Sequence, residues 1–315
     1  MSADSALTGG ALSARGVIHD RGYRRYDGPR LGRVQIVRAL VWHSFRSALG
    51  IGRGPKAKIM PVITFVAICL PAVVNAVAVA NGGTQVVGYE YYLFPLRVIV
   101  LTVFVAVQAP ELVSRDLRSR VLPLYFSRPM RRADYPLAKY LAFTAACLLL
   151  IELPLLLLYL GTIVSSSSNG IWPNTRGFLA GLAIGLMWAA LVAAIGLAIA
   201  SLSGRRAYAT GAVAIFFFLT FILSQIIQSI AMQGPGFITP QTQPTGARLA
   251  SLISPFMTLE SITKWFTGYG HTFQPGTGQM PNPGSFGPAY IVMFAVLLAA
   301  SFAILAARYR KAGAA

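Results

Sequence analysis

Six stretches of roughly 20 residues, 60–80, 91–110, 136–160, 178–201, 208–231 and 288–307, carry almost no charge. Each is long enough to cross the hydrocarbon of a bilayer as a helix. Tyr89, Tyr91, Tyr92 and Phe94 cluster where the second begins, as aromatic rings do at a membrane interface. The pattern predicts an all-α polytopic membrane protein with six transmembrane helices, its interior built by helix packing rather than by one soluble core.

The polar stretches between these runs differ in kind. Residues 1–14 are small and polar, and residues 17–30 (VIHDRGYRRYDGPR) read as extended or turn structure. Residues 31–49 have helical periodicity: Val34, Val37, Val41, Phe45 and Ala48 or Leu49 share a face, with Arg33 and Arg46 placed to reach lipid phosphates. This is the pattern of an interfacial helix, broken by the glycines and proline of 50–55. Residues 111–140 hold six arginines, one lysine and three acids, so they are expected to form a loop outside the hydrocarbon. Basic residues there alternate with Val121, Leu122, Leu124, Tyr125 and Phe126, which suits a short amphipathic helix that receives force from a partner.

On the other face, 81–90 is a short loop and 162–177 a loop with a serine run, while 202–207 is a tight turn on the basic face. The long segment 232–287 is rich in Gly and Pro. Within it, 247–269 carries Leu249, Leu252, Ile253, Phe256, Leu259, Ile262, Trp265 and Phe266. It predicts one or two short helices on the outer bilayer surface, interrupted at Pro255, or a re-entrant hairpin where protein covers the backbone.

Charge fixes the expected orientation. Only 11% of residues are charged, against about a quarter in a soluble domain. Setting aside Arg97, 23 of the lysines and arginines fall on one side and 3 on the other, which puts the first side, with both termini, in the cytoplasm. The net charge of +18 does not imply nucleic acid, because the basic residues flank spans instead of forming a separate module. Anionic lipid is the natural counterpart. The expected organisation is a cytoplasmic segment 1–58, a six-helix domain 59–307 with outer loop 232–287, and a cytoplasmic tail 308–315. The first apolar run starts near residue 59, so the first span and not a cleaved signal is expected to direct insertion into the plasma membrane.

Candidate chemistry is sparse. There is no GxxxxGK[ST], HExxH or CxxC. Cys69 and Cys147 sit in apolar runs as packing residues, and His19, His43 and His271 are far apart outside the spans. No catalytic residue and no metal site is predicted. Two ionisable residues lie in spans: Arg97, about 9 Å into the second, and Glu152, about 12 Å from the outer end of the third. Both fall in the outer half of the membrane. Either they pair or line a polar cavity, or Arg97 snorkels to the surface while Glu152 is neutral or bonded locally. Gly177, Gly181 and Gly185 repeat every four residues and, with Gly196, offer a small-residue packing surface to another helix of this chain or of a second copy.

The segment 122–139, LPLYFSRPMRRADYPLAK, resembles the stretch leading into the third span in permease subunits of the type-2 ABC transporter family. Ser127, Arg128, Pro129, Arg132 and Lys139 match its pattern, and Asp116 takes the upstream acidic place, while Arg120 and Val121 stand where Gly-Thr is usual. The N-terminal HDRGYRRYDGPR is similar to the same group. The resemblance implies an elbow helix at the N-terminus and a cytoplasmic coupling helix after span two, with Asp116, Arg118, Arg120, Leu122, Leu124, Tyr125, Phe126, Ser127, Arg128 and Pro129 facing the ATPase. It also implies an exporter built from two permeases, a second copy or a paralogue, and two separate ATP-binding subunits that hold ATP and Mg²⁺. The alternative from the residues alone is an ATP-independent secondary transporter or channel. That reading wants more intramembrane acids or broken helices, of which Glu152 and Pro154 are the only hint.

Overall fold

The computed structural model describes residues 28, 32–81, 94–119, 125, 130–164, 171–232, 244–267 and 283–312. These residues hold helices and no strand, and six of the helices are long and apolar enough to cross a membrane. The chain is a multi-pass membrane protein.

Helix α1 (Arg33–Ala48) precedes the spans. Its buried positions are Leu40, Ser44 and Ala48, with Val37, Val41 and Phe45 flanking them, while Val34 is 78% exposed. The inward face thus takes in Leu40 and Ser44 beside the apolar residues the sequence suggested, because α1 packs on protein as well as facing lipid. Arg33 does not reach out to lipid phosphate either: its guanidinium grips Asp134 at the start of the third span (Nε–Oδ2 2.7 Å, Nη2–Oδ1 2.5 Å). The partner carboxylate raises the Arg33 pKa above its ordinary value.

Gly50, at φ 72°, turns the chain from α1 into α2 (Pro55–Ala80). A Cβ there would strike the Ala57 carbonyl, so the turn needs glycine. Val62, Ile63, Val66, Leu70, Val73, Val74 and Val77 form the exposed, lipid-facing side of α2. The remaining spans are α3 (Phe94–Arg118), α4 (Asp134–Val164), α5 (Ile171–Leu202), α6 (Arg206–Met232) and α9 (Gly287–Ala312). Between the last two lie α7 (Thr245–Ala250) and α8 (Pro255–Thr267).

Helices α3 and α5 form the core, and α2, α6 and α9 turn most of their surface outward. Helix α5 touches α3, α4, α6 and α9. Small residues set these approaches: a Cβ on Gly196 would strike Val105 of α3, and one on Gly161 of α4 would strike Ala76 of α2. Gly185 opens towards α4 of the same chain, where Glu152 lies over it. Gly181 is buried and Gly177 half-buried on α5.

Three expectations need correction. Residues 111–118 continue α3 beyond Pro110 and are not loop. Pro110 stays inside the helix, whose charged last turns simply leave the apolar zone. The loop expected at 162–177 shrinks, since α4 runs to Val164 and α5 starts at Ile171. Finally, α8 does not rest on a surface: every residue from Pro255 to Thr263 is buried, packed against α5, α6 and α9. It is a buried helix, separated from α7 by the break near Pro255 that the sequence suggested.

Such a break leaves buried backbone carbonyls without helix partners, so they need others. Side chains supply them. Ser224 donates to the Ala250 carbonyl (2.7 Å), Tyr290 to Arg248 (2.9 Å) and Thr258 to Ser251 (3.0 Å). Helices α6 and α9 thereby clamp α7 and α8 in place.

Candidate functional site

Two charged regions stand out, one at each end of the bundle. At the basic end, where α3 and α5 finish and α4 and α6 begin, three acids tie five segments together. Glu111 on α3 pairs with Arg53 before α2 (2.5 Å) and with Arg206 at the start of α6. Asp134 holds Arg33 of α1 and accepts the Arg131 backbone N–H (2.9 Å). Asp116 on α3 pairs with Lys139 of α4 (2.9 Å) and accepts the Tyr135 hydroxyl (2.5 Å). Helix ends are closed by further ties, Ser114 donating to Ala200 (2.9 Å) and Arg308 to Ser201 (3.1 Å).

Tyrosines extend this junction. Tyr135 is fully buried, with its ring centroid 5.4 Å from Tyr125 and 5.1 Å from Tyr309 of α9. Tyr125 is the one described residue of the segment 120–129, and its ring packs on Tyr135 at the start of α4. Arg118 is exposed at the last turn of α3. Arg120, Leu122, Leu124, Phe126, Ser127, Arg128 and Pro129 lie outside the described residues.

The second region is buried within the other half of the bundle. Arg97 is 2% exposed, and its guanidinium lies over the Trp188 ring, 4.3 Å from the centroid. Such a contact is worth about 2 kcal/mol when desolvated. The carboxylates acting on Arg97 are Glu260 of α8 and Glu152 of α4. No hydrogen bond joins Arg97 to Glu152: Nε and Nη2 of the arginine and both glutamate oxygens lack a partner. Arg97 is therefore turned into the protein, held by an aromatic face and by charges at longer range. Phe256 of α8 stacks on Trp188 (5.4 Å) and on Phe217 (5.1 Å), so α8 is what brings Glu260, 0% exposed, to this place.

A protein-family model described as an ABC-2 family transporter protein matches residues 47–314. The chain belongs to the ABC-2 transporter family. It is the membrane component, a permease, of an ABC transporter, a class that works with ABC ATP-binding subunits. No curated protein matches its sequence.

Sequence reasoning about this ABC-2 permease found Asp116, Tyr125, Arg97 and Glu152 but missed several residues around them. Glu260 was legible as the only acid in 247–269. Trp188 carried no signal beyond being a lone indole in an apolar run. Arg53 and Arg206 read as topogenic charges, and nothing in their spacing points to Glu111. The two Glu111 pairs should differ in strength. Arg53 is 23% exposed and Arg206 59%, so a double-mutant cycle on unfolding is expected to give about 1–2 kcal/mol for Arg53–Glu111 and under about 0.5 kcal/mol for Arg206–Glu111.

Proposed function

We propose that this ABC-2 permease is the pathway-forming subunit of an ATP-driven exporter in the plasma membrane, with its basic end and both termini in the cytoplasm. Two permeases, identical or paralogous, enclose the pathway, and two separate ATP-binding subunits dock beneath them. ATP and Mg²⁺ belong to those partners, since this chain has no GxxxxGK[ST] sequence to cradle phosphates. The cargo class that suits the sparsely charged spans is apolar or amphipathic, a drug, lipid or peptide.

The observation that carries the reading is the seat of Tyr125 against Tyr135, which itself touches Tyr309 and Asp116. A push on Tyr125 would reach Tyr135 of α4, and through it Tyr309 of α9 and Asp116 of α3. An ATP-independent transporter draws some support from the broken α7–α8 and the buried Glu260, but family membership favours the ATPase-coupled reading.

The test is Arg118→Glu with Arg120→Glu, which reverses charge at the exposed last turn of α3 and just after it while leaving the apolar parts of the spans untouched. Membrane insertion should be normal, and a P-loop ATPase should co-purify with the native chain. In the variant, substrate should no longer stimulate ATP hydrolysis and transport should fall by about tenfold or more, a barrier change of about 1.4 kcal/mol. Coupled transport at the native rate would overturn the coupling role.

A further inference from the structure

A cleft of about 1150 Å³ opens at the basic end, between α1, the turn into α2 and the last turns of α3. Its acids are already neutralised. Glu111 is held by Arg53 and Arg206, and Asp116 by Lys139. Two cations on the wall, Arg46 and Arg115, have no ion pair among the described residues, so the cleft presents uncompensated positive charge. His43 stands beside them. The same lining carries two apolar side chains facing outward, Trp42 at 60% and Ile51 at 46% exposure. Ile51 leads directly into α2, whose outward side is a continuous run of exposed Val, Ile and Leu.

We infer that this cleft binds an anionic phospholipid, its phosphate between Arg46 and Arg115 and its acyl chains against Trp42 and Ile51. Charge complementarity selects the anion. The apolar rim beside a lipid-facing helix selects a lipid over a free phosphate, which would leave Trp42 and Ile51 uncovered. The bound headgroup would lie beside Glu111, Asp116 and Tyr125, so it would brace α1 against the junction that receives the connector. The inference does not depend on the ATPase reading, since it concerns only the purified permease in a bilayer.

The test uses the full chain in phosphatidylcholine nanodiscs doped with brominated lipid, reading quenching of tryptophan fluorescence against a Trp42→Phe control. Two basic side chains near the headgroup give an expected preference of about thirty-fold for brominated phosphatidylglycerol over brominated phosphatidylcholine. Arg46→Gln and Arg115→Gln should each reduce it about five-fold, and the pair should abolish it. Arg38→Gln, on an exposed part of α1 outside the cleft, should leave the preference intact and serves as the folding control. Millimolar inorganic phosphate should not restore fluorescence. Equal quenching by both lipids would overturn the proposal, as would displacement by inorganic phosphate. Protection of Trp42 by a co-purified acidic protein without lipid preference would assign the cleft to that protein and overturn it as well.

Discussion

Arg97→Leu is expected to destabilise the folded bundle by about 3 kcal/mol, the scale on which removing one partner leaves buried charge uncompensated. Arg97 is the cation that acts on Glu152, whose carboxyl group lies over Gly185 with no hydrogen bond of its own. Glu260 is less dependent, because Lys264 also acts on it from the next turn of α8. The variant removes the cation that acts on the two carboxyl groups, Glu260 and Glu152, and takes the flat guanidinium off the Trp188 ring. Arg97→Lys should fall between the two, costing about 1 kcal/mol, since it keeps the charge but not the planar stacking. The double variant Arg97→Leu, Glu152→Gln should recover most of the loss. Equilibrium unfolding in mild detergent, followed by tryptophan fluorescence, separates these cases. An Arg97→Leu protein as stable as the parent would mean that the cluster contributes nothing to the fold.

Hydropathy made all six spans legible, but it reported where lipid ends and not where helices end. The last turns of α3, with Glu111, Arg115, Asp116 and Arg118, remain helical after the apolar run stops at Pro110. Periodicity located α1, and Val37, Val41 and Phe45 of its apolar face do pack against the core, but it did not show that Leu40 and Ser44 are buried beside them. For α8 burial was not legible: residues 255–263 include Thr258, Glu260, Ser261 and Thr263, which read as a polar side, yet all four are buried. Small hydroxylated residues there, Thr258, Ser261 and Thr263, tolerate that environment by bonding to backbone, as Thr258 and Thr263 do.

The candidate sites divide along the same line. A lone charge inside an apolar run announces itself, and Arg97 and Glu152 were found that way. Long-range partners do not: Arg33 and Asp134, or Arg53 and Glu111, meet only because α1 and the turn after it fold back on α3 and α4. The chain has 27 basic residues and only 9 acids, so a cation's sequence position says little about pairing while each acid is informative. Among the described residues, the three acids of the basic end bridge separate segments, and Glu152 and Glu260 within the bundle both act on Arg97.

The bridge from the connector to the spans should fail sharply at Tyr135. Tyr135→Phe keeps the ring between Tyr125 and Tyr309 and loses only the hydroxyl bond to Asp116, a charged acceptor. Its cost is expected at about 1.5 kcal/mol, with Lys139 still neutralising the acid. Tyr135→Ala empties a fully buried site and is expected to cost about 3–4 kcal/mol. Function should separate the two further. In proteoliposomes with the ATPase partner, the Phe variant should transport at a rate near the parent's. The Ala variant, compared at equal folded protein, should keep basal ATP hydrolysis while transport drops by about tenfold, because the push on Tyr125 no longer has a rigid ring to act on. Transport by the Ala variant in proportion to its folded fraction would show that the force takes another route, and the ion pairs of Asp116 and Glu111 would then be the elements to break.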